Sequence, residues 1–405
     1  MTGHASGNAR WWILALLFFA TTINYLDRIV FSVLIPVIRQ EMHITDQEYG
    51  YINAAFQIFY TVGFLFAGGL IDKWGTRLGY AVSIAWWSLA AAGHVIAGSG
   101  MGLSFWRGFM GLGESGNFPA AIKSVAEWFS KEDRAFATGI FNAGATVSSI
   151  VGPPLFAWLV VFAGWRACFL MTAAAGFVWL IFWLLAPKPP QQVEVVGEPR
   201  IGWAKALTYR ETWGFAAAKF FSDPVWWFYL YWLPPYFFDV RKMNLKEIGW
   251  ALPVIYTVAG VGSVVGGWLA GVLIRRGWRP GPAHKAGMAV FAFMMPVGAL
   301  SVLAESPILA IALICVATAA HQGWSANLYT TVSDIFPNRA VASVTGIGGC
   351  AGGFGGVLFS ALIPGYVVSH FGYTPVFLVM GVFHLTGLGI SHFLFGKMEP
   401  IQAES

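Results

Sequence analysis

Long apolar runs constrain this chain more than any other feature. Stretches of roughly 20 apolar residues, separated by charges or by glycine and proline, follow one another along most of the sequence, and about 20 such residues let a helix cross a bilayer. Only 11% of the residues are charged, whereas soluble domains average about 25%. The alternating pattern of outer-membrane barrel strands does not recur. The sequence therefore predicts an all-α membrane protein.

The apolar runs predict twelve transmembrane helices in two groups of six. The first group covers 11–38, 47–71, 77–98, 101–122, 135–159 and 165–186, and the second covers 212–238, 247–274, 285–303, 307–330, 340–368 and 373–396. The polar, proline-rich stretch between the groups predicts a linker. We expect an N-terminal six-helix bundle over 1–186, a cytoplasmic linker over 187–211 and a C-terminal six-helix bundle over 212–405.

The distribution of basic residues predicts the orientation. With the N-terminus in the cytoplasm, 16 of the 24 Lys and Arg residues fall in cytoplasmic segments and five fall outside. By the positive-inside rule, both termini are expected in the cytoplasm. The net charge of +5 follows from these short basic loops and does not indicate nucleic-acid binding.

Motifs for catalysis or cofactors are not found in the sequence. The three cysteines show no paired spacing, and neither a phosphate-binding glycine loop nor a His/Cys metal pattern occurs. We therefore expect neither an enzyme nor a bound cofactor or metal.

Two segment pairs indicate that the halves are repeats. "EWFSKEDRAFATGI" (127–140) resembles "DIFPNRAVASVTGI" (334–347), and "GGLIDKWGTR" (68–77) has a degraded counterpart in "GGWLAGVLIRRG" (266–277). Parallel six-helix repeats joined by a linker are typical of one transporter architecture.

The segment 68–77 resembles the helix 2–3 signature of the major facilitator superfamily. That resemblance implies two six-helix bundles and a conformational latch, in which charged residues pair with helix ends and hold one conformation. The matching positions are Gly68, Asp72, Lys73, Gly75 and Arg77.

A narrower resemblance rests on "NYLDR" (24–28), "RGFMGLGESGNFPAA" (107–121), "EWFSKEDRAFATGIFNAG" (127–144) and "KFFSDPVWWFYLYWLP" (219–234). These segments are similar to the anion:cation symporter family, and the last one to its bacterial hexuronate and galactonate transporters. The resemblance implies a monomeric carrier in the bacterial inner membrane that moves a small organic anion together with protons by alternating access.

Six charged residues lie in the predicted helices well away from the helix ends, where a charge costs about 2.5–3.5 kcal/mol at the bilayer centre and marks a functional site. The first four are Asp27, Arg28, Arg107 and Glu114, and the other two are Lys219 and Asp223. Adjacent helical residues point about 100° apart, so Asp27 and Arg28 need not pair with each other. Lys219 and Asp223 are four residues apart and can pair directly.

Arginine is suited to a substrate carboxylate, because its guanidinium is planar, bidentate and permanently charged. We therefore assign Arg28 and Arg107 to the substrate. Asp27 and Glu114 are assigned to proton coupling, a role that the resemblance also implies for them. The alternative is an ion-pair network that only orients the first and fourth helices.

Further polar and aromatic residues are candidates for substrate contact, with helix packing or interfacial anchoring as the alternative for each. These are Tyr25, Tyr60, Asn142, Lys219, Trp226, Trp227, His321, Gln322 and Asn327.

The sequence predicts proton-coupled symport of a hexuronate, such as glucuronate or galacturonate, or of a related sugar acid. A sodium-coupled carrier and an exchanger or uniporter for another small carboxylate remain open, because carboxylates in helices can coordinate either cation.

Overall fold

The computed structural model describes residues 7–129, 131–188, 203–336, 338–396 and 398, and for a few of them only the backbone. Within these ranges all regular structure is helical and no strand occurs. The predicted all-α class is confirmed.

In the described ranges, six α-helices precede the predicted linker, one short helix lies within it, and seven come after that short helix. The first six are α1 (Gly7–Met42), α2 (Asp46–Trp74), α3 (Thr76–Gly93), α4 (Gly100–Glu114), α5 (Asn117–Trp128) and α6 (Lys131–Leu185). The others are α7 (Trp203–Ala206), α8 (Arg210–Asp239), α9 (Leu245–Arg275), α10 (Pro280–Met294), α11 (Pro307–Ile335), α12 (Asn338–Gly356), α13 (Ile363–Phe371) and α14 (Thr374–Phe395). Seven helical segments of the described chain are long and apolar enough to cross a membrane. The count of twelve remains a prediction.

The predicted helix 101–122 is not continuous. It ends at Glu114 and resumes at Asn117, and the Ser115 hydroxyl donates to the Leu112 carbonyl at 2.7 Å. Close packing accompanies this break, because a Cβ on Gly113 would lie 2.8 Å from the Trp87 backbone nitrogen. Glu114 is therefore the last residue of α4.

Two other predicted boundaries also differ. The helices predicted at 135–159 and 165–186 follow each other within α6, which is interrupted at Gly164 with φ of +75°, a conformation that favours glycine. The predicted helix 340–368 contains a π-helical stretch, Val357–Leu362, directly before Pro364 and α13. A proline lacks the N–H of a regular helical hydrogen bond, so the backbone widens there.

Large apolar side chains cover much of the outside of the helices. Met101, Phe162 and Phe393 are 81%, 72% and 79% exposed. Such exposure is unfavourable in water but costs nothing in hydrocarbon, so these surfaces are suited to lipid.

The chain divides into two compact units. Unit 1 comprises Met1–Val196 and Phe237–Pro253, and unit 2 comprises Gly197–Tyr236 and Val254–Ser405. The segment 237–253 belongs to unit 1, where Asp239 accepts a hydrogen bond from Arg39 at 3.0 Å. The predicted boundaries at 186 and 212 place the segment 237–253 in the C-terminal bundle. Both boundaries remain predictions.

Gly262 allows α9 and α11 of unit 2 to approach closely. A Cβ at this position would lie 2.2 Å from the carbonyl oxygen of Ala319, and the backbone cannot move aside as a side chain can. We expect Gly262→Val to lower the free energy of unfolding by about 1–3 kcal/mol, the usual cost of overpacking. Thermal unfolding of the purified protein in detergent measures this. Gly267→Val in the same helix is the matched control, because its Cβ meets nothing within 4 Å, and equal losses in both variants would contradict the expectation.

Candidate functional site

Four charged side chains lie in the interior of unit 1. Asp27 and Arg28 come from α1, and Arg107 and Glu114 come from α4, and none is more than 1% exposed. Burying one charge in apolar surroundings is costly unless others compensate it. Two cations and two carboxylates balance the charge of this cluster.

Arg28 pairs with the last residue of α4. Its Nε donates to Glu114 Oε2 at 2.6 Å, and its guanidinium carbon lies 4.8 Å from the ring centre of Tyr25 and 4.4 Å from that of Tyr60. A charge-assisted hydrogen bond and two aromatic faces therefore hold the guanidinium. The predicted proximity of Tyr25 to Arg28 is observed.

Arg107 lies against the same segment of α1. Its Nη1 donates to the backbone carbonyl of Asp27 at 3.3 Å, and its guanidinium carbon lies 4.5 Å from the Phe56 ring centre. Neither carboxylate oxygen of Asp27 accepts a hydrogen bond of good geometry from the described residues. The two carboxylates therefore differ, since Glu114 is bonded to an arginine and Asp27 is not.

The sequence interpretation missed the buried amides beside this cluster. Asn24 in α1 and Asn53 in α2 are both fully buried. A lone amide within an apolar helix is a usable signal, because buried polar groups require partners.

In unit 2, the predicted pair in α8 is present. Lys219 Nζ lies 2.8 Å from Asp223 Oδ2 and also donates to the Tyr329 hydroxyl at 2.7 Å. Tyr329 belongs to α11 and was not among the predicted residues. Lys219 is 5% exposed, whereas Tyr329 is 44% exposed, so a buried ammonium is held by a carboxylate and a phenol that reach the surface.

Two histidines lie close together beside α8. His321 Nδ1 lies 3.1 Å from Nε2 of His384 on α14, and Trp226 stacks on His321 with ring centres 5.4 Å apart. His384 was missed by the sequence interpretation. Trp227 stacks instead on Tyr231 at 5.6 Å, and Gln322 is half-buried next to His321.

Asn327 has a packing role in the described structure. Its Nδ2 donates to the carbonyls of Gly266 and Gly323 at 3.0 and 2.9 Å, and its Oδ1 lies 3.0 Å from Nδ1 of His284. Its amide thus joins three helices, which favours the packing alternative, and a substrate contact by Asn327 remains a prediction. The side chain of Asn142 lies outside the described residues.

Some residues of the predicted latch are described in unit 1, and the latch itself remains a prediction. Gly75 has φ of +80° between α2 and α3, where a side chain would be strained. Arg77 Nη1 donates to the carbonyl of Ala186 at 2.6 Å, and Nη2 donates to that of Leu184. The cation therefore caps the C-terminal end of α6. Lys73 is exposed, and the environments of Gly68 and the Asp72 side chain lie outside the described residues.

Breaking the Lys219–Asp223 pair from one side is expected to destabilise the protein. Lys219→Met leaves the half-buried Asp223, whose side chain is 20% exposed, without its cation, at a cost of about 1–3 kcal/mol. The double variant Lys219→Met/Asp223→Leu removes both charges and should recover most of the loss. Thermal unfolding in detergent checks the stability. Equal losses of stability in the single and the double variant would contradict this expectation.

Buried, balanced charges inside an all-helical protein with lipid-suited outer surfaces define a polytopic membrane transporter. Residues 17–360 match the Major Facilitator Superfamily, and the chain belongs to this family. It is a multi-pass protein of the bacterial inner membrane and not an enzyme.

Two relatives and one solved structure illustrate the family likeness. The chain is 32% identical over 401 residues to the hexuronate transporter of Escherichia coli K12, with 93% of this chain and 92% of that protein covered. It is also 32% identical over 282 residues to the galacturonate transporter of Dickeya chrysanthemi, covering 64% of this chain and 81% of that one. A bacterial homologue of the human lysosomal transporter Spinster, solved in an inward-facing and occupied conformation, superposes with a TM-score of 0.77 at 19% identity over 97% of this chain and 96% of that one.

Proposed function

We propose that this protein is a proton-coupled symporter of a sugar acid, with a hexuronate as the substrate class, and that it belongs to the anion:cation symporters. The observation that carries the proposal is the buried Arg28–Glu114 ion pair, 2.6 Å long, beside Arg107 and Asp27. Curated relatives that transport hexuronate and galacturonate support the substrate class.

The cluster can couple the two movements by exchange of partners. A substrate carboxylate that approaches Arg28 competes with Glu114 for the guanidinium. Once displaced, Glu114 loses its cation in a poorly solvated site and is stabilised by taking up a proton. Arg107 supplies a second permanent charge for the anion, and Asp27 is the second proton carrier.

Unit 2 supplies the remaining substrate contacts in this proposal. Trp226, Trp227 and Gln322 offer stacking faces and an amide for sugar hydroxyls, and His321 offers a ring nitrogen. Tyr25 and Tyr60 lie beside Arg28 in unit 1, and Asn142 and Lys219 complete the proposed set. Gly68, Asp72, Lys73, Gly75 and Arg77 form the latch.

The proposed topology completes the assignment. Twelve membrane spans in two six-helix bundles, over 1–186 and 212–405, carry the site, and both termini and the linker 187–211 face the cytoplasm. The protein works as a monomer in this proposal.

Uptake into proteoliposomes tests the proposal. Purified protein is given radiolabelled glucuronate, galacturonate, galactonate and glutamate with an inward proton gradient, an inward sodium gradient or no gradient. We expect accumulation of one or both hexuronates only with the proton gradient. Accumulation driven by sodium alone, or equal exchange without any gradient dependence, would replace the proposal with a sodium-coupled carrier or an exchanger.

A further inference from the structure

A large groove in unit 2 lies apart from the charged residues of the proposed site. It has a volume of about 1110 Å³ and runs between α10 and α14, above the range of about 300–1,000 Å³ typical of small-molecule pockets. Its walls are mainly apolar and include Ala289, Phe293, Leu385 and Leu388. A hydrophilic sugar acid is poorly suited to such walls.

The rim of the groove has the character of a lipid-facing surface. Phe293 on α10 and Phe393 on α14 are 70% and 79% exposed, and both helices lie in segments apolar enough to cross a membrane. Exposed phenylalanines on spanning helices contact acyl chains. The groove is therefore accessible from the hydrocarbon rather than only from water.

One end of the groove is basic. Arg279 and Lys285 line it together with His392, and the preceding turn adds Arg275 and Arg276. Lys285 Nζ donates a hydrogen bond to the carbonyl oxygen of Gly396, a neutral group.

Two neighbours complete this end. Asp334 also borders the groove, but its Oδ2 lies 3.3 Å from Nε2 of His284. Trp278, 48% exposed on the same turn, is the residue type that anchors at the headgroup level. The groove thus combines a cationic end at the interface with an apolar trough.

We propose that this groove binds one anionic phospholipid of the adjoining leaflet. The phosphate contacts Arg279 and Lys285, and an acyl chain lies along Ala289, Phe293 and Leu388. The charge complementarity selects an anionic headgroup over a zwitterionic one, as in basic pockets between transmembrane helices that bind acidic lipids. The positive-inside rule assigns this basic end to the cytoplasmic leaflet.

Native mass spectrometry of the delipidated full-length protein tests the headgroup contact. Phosphatidylglycerol and phosphatidylcholine with identical acyl chains are titrated separately, and we expect one phosphatidylglycerol to bind more tightly. In Arg279→Gln/Lys285→Gln its affinity should fall roughly 30-fold, about fivefold for each lost charge. Lys242→Gln/Lys246→Gln is the control, since both lysines are exposed and do not line the groove. Equal binding of the two lipids by the wild-type protein would overturn the proposal.

A second variant tests the trough without changing charge. Gly389 lines the groove and a Cβ there would meet nothing within 4 Å, so Gly389→Phe fills the space without displacing the backbone. We expect it to lose phosphatidylglycerol binding by about tenfold or more, in line with the apolar area covered. Gly267→Phe, an equally open glycine outside the groove, should bind as the wild type does. Unchanged binding in Gly389→Phe would place the lipid elsewhere and overturn the proposal.

The chain's own C-terminal segment is the competing occupant, because Met398 borders the groove. A variant that ends at Met398 separates the two. The lipid proposal expects its phosphatidylglycerol affinity to equal that of the full chain. Binding that occurs only after truncation would assign the groove to the C-terminal segment and overturn the proposal.

Discussion

Arg107→Ala is expected to lower hexuronate affinity by at least about 100-fold, because a guanidinium makes two charge-assisted hydrogen bonds to a carboxylate and alanine makes none. Arg107 is fully buried in unit 1 and lies against α1 through the carbonyl of Asp27. Equilibrium binding of radiolabelled galacturonate and glucuronate to the purified protein measures the loss. Retention of micromolar affinity would contradict the carboxylate clamp.

The control for this variant removes another arginine of unit 1. Arg166 makes an ion pair with Glu41 at 2.6 Å, and its side chain is 40% exposed. Arg166→Ala should therefore bind the substrate as the wild-type protein does. Thermal unfolding of both variants separates a loss of binding from a loss of folded protein.

Glu114→Gln is expected to abolish proton-driven accumulation while substrate counterflow continues at a rate within about threefold of the wild type. Glutamine can still accept the hydrogen bond from Arg28 through its amide oxygen, but it cannot take up a proton. The coupling step is lost, whereas the binding of the anion and the rocking of the carrier remain possible. Uptake against a concentration gradient and exchange across equal concentrations, in the same proteoliposomes, give the two readouts.

Glu41→Gln is the matched control for the coupling variant. Glu41 also pairs with an arginine, but its side chain is 47% exposed, so its loss should leave accumulation intact. If Glu114→Gln accumulates substrate as well as the wild type under a proton gradient, Glu114 has no coupling role. Asp27→Asn in the same assay shows whether Asp27 carries a proton or only positions α1.

Local spacing predicted the contacts that lie within one helix. Lys219 and Asp223 are four residues apart and do pair, and Tyr25 does lie beside Arg28, three residues away. The period of the helix fixes these distances, so no knowledge of the packing is needed. The all-α class could also be predicted from the sequence. In a bilayer the backbone N–H and C=O groups must find hydrogen-bond partners within the protein, and a helix provides them for a long apolar run.

Contacts between helices could not be predicted in the same way. Arg28 and Glu114 are 86 residues apart, and His321 and His384 are 63 apart. Which faces of two helices meet depends on packing that a hydropathy pattern does not encode. The sequence identified Arg28, Glu114 and His321 as unusual but could not say that Glu114 is the partner of Arg28, or that His384 completes a pair.

The end of α4 shows a further limit. Apolar character continues through 101–122, yet the helix breaks after Glu114, at a place where the glycines on either side pack closely against neighbouring side chains. Hydropathy measures only suitability for lipid, and it has no information on close packing. The break matters for the site, since it leaves Glu114 at a helix end where a small backbone change can shift its carboxylate.

The cap that Arg77 places on α6 has a mechanical consequence. Both of its carbonyl partners, at Leu184 and Ala186, belong to unit 1, so the bonds fasten the third helix to the end of the sixth. In unit 2 Lys285 near the start of α10 donates to Gly396 just after α14, so the second repeat has the same tie without the same residues. Each tie lies within one unit and does not depend on the other unit. Both ties therefore act as braces that stiffen the unit to which they belong.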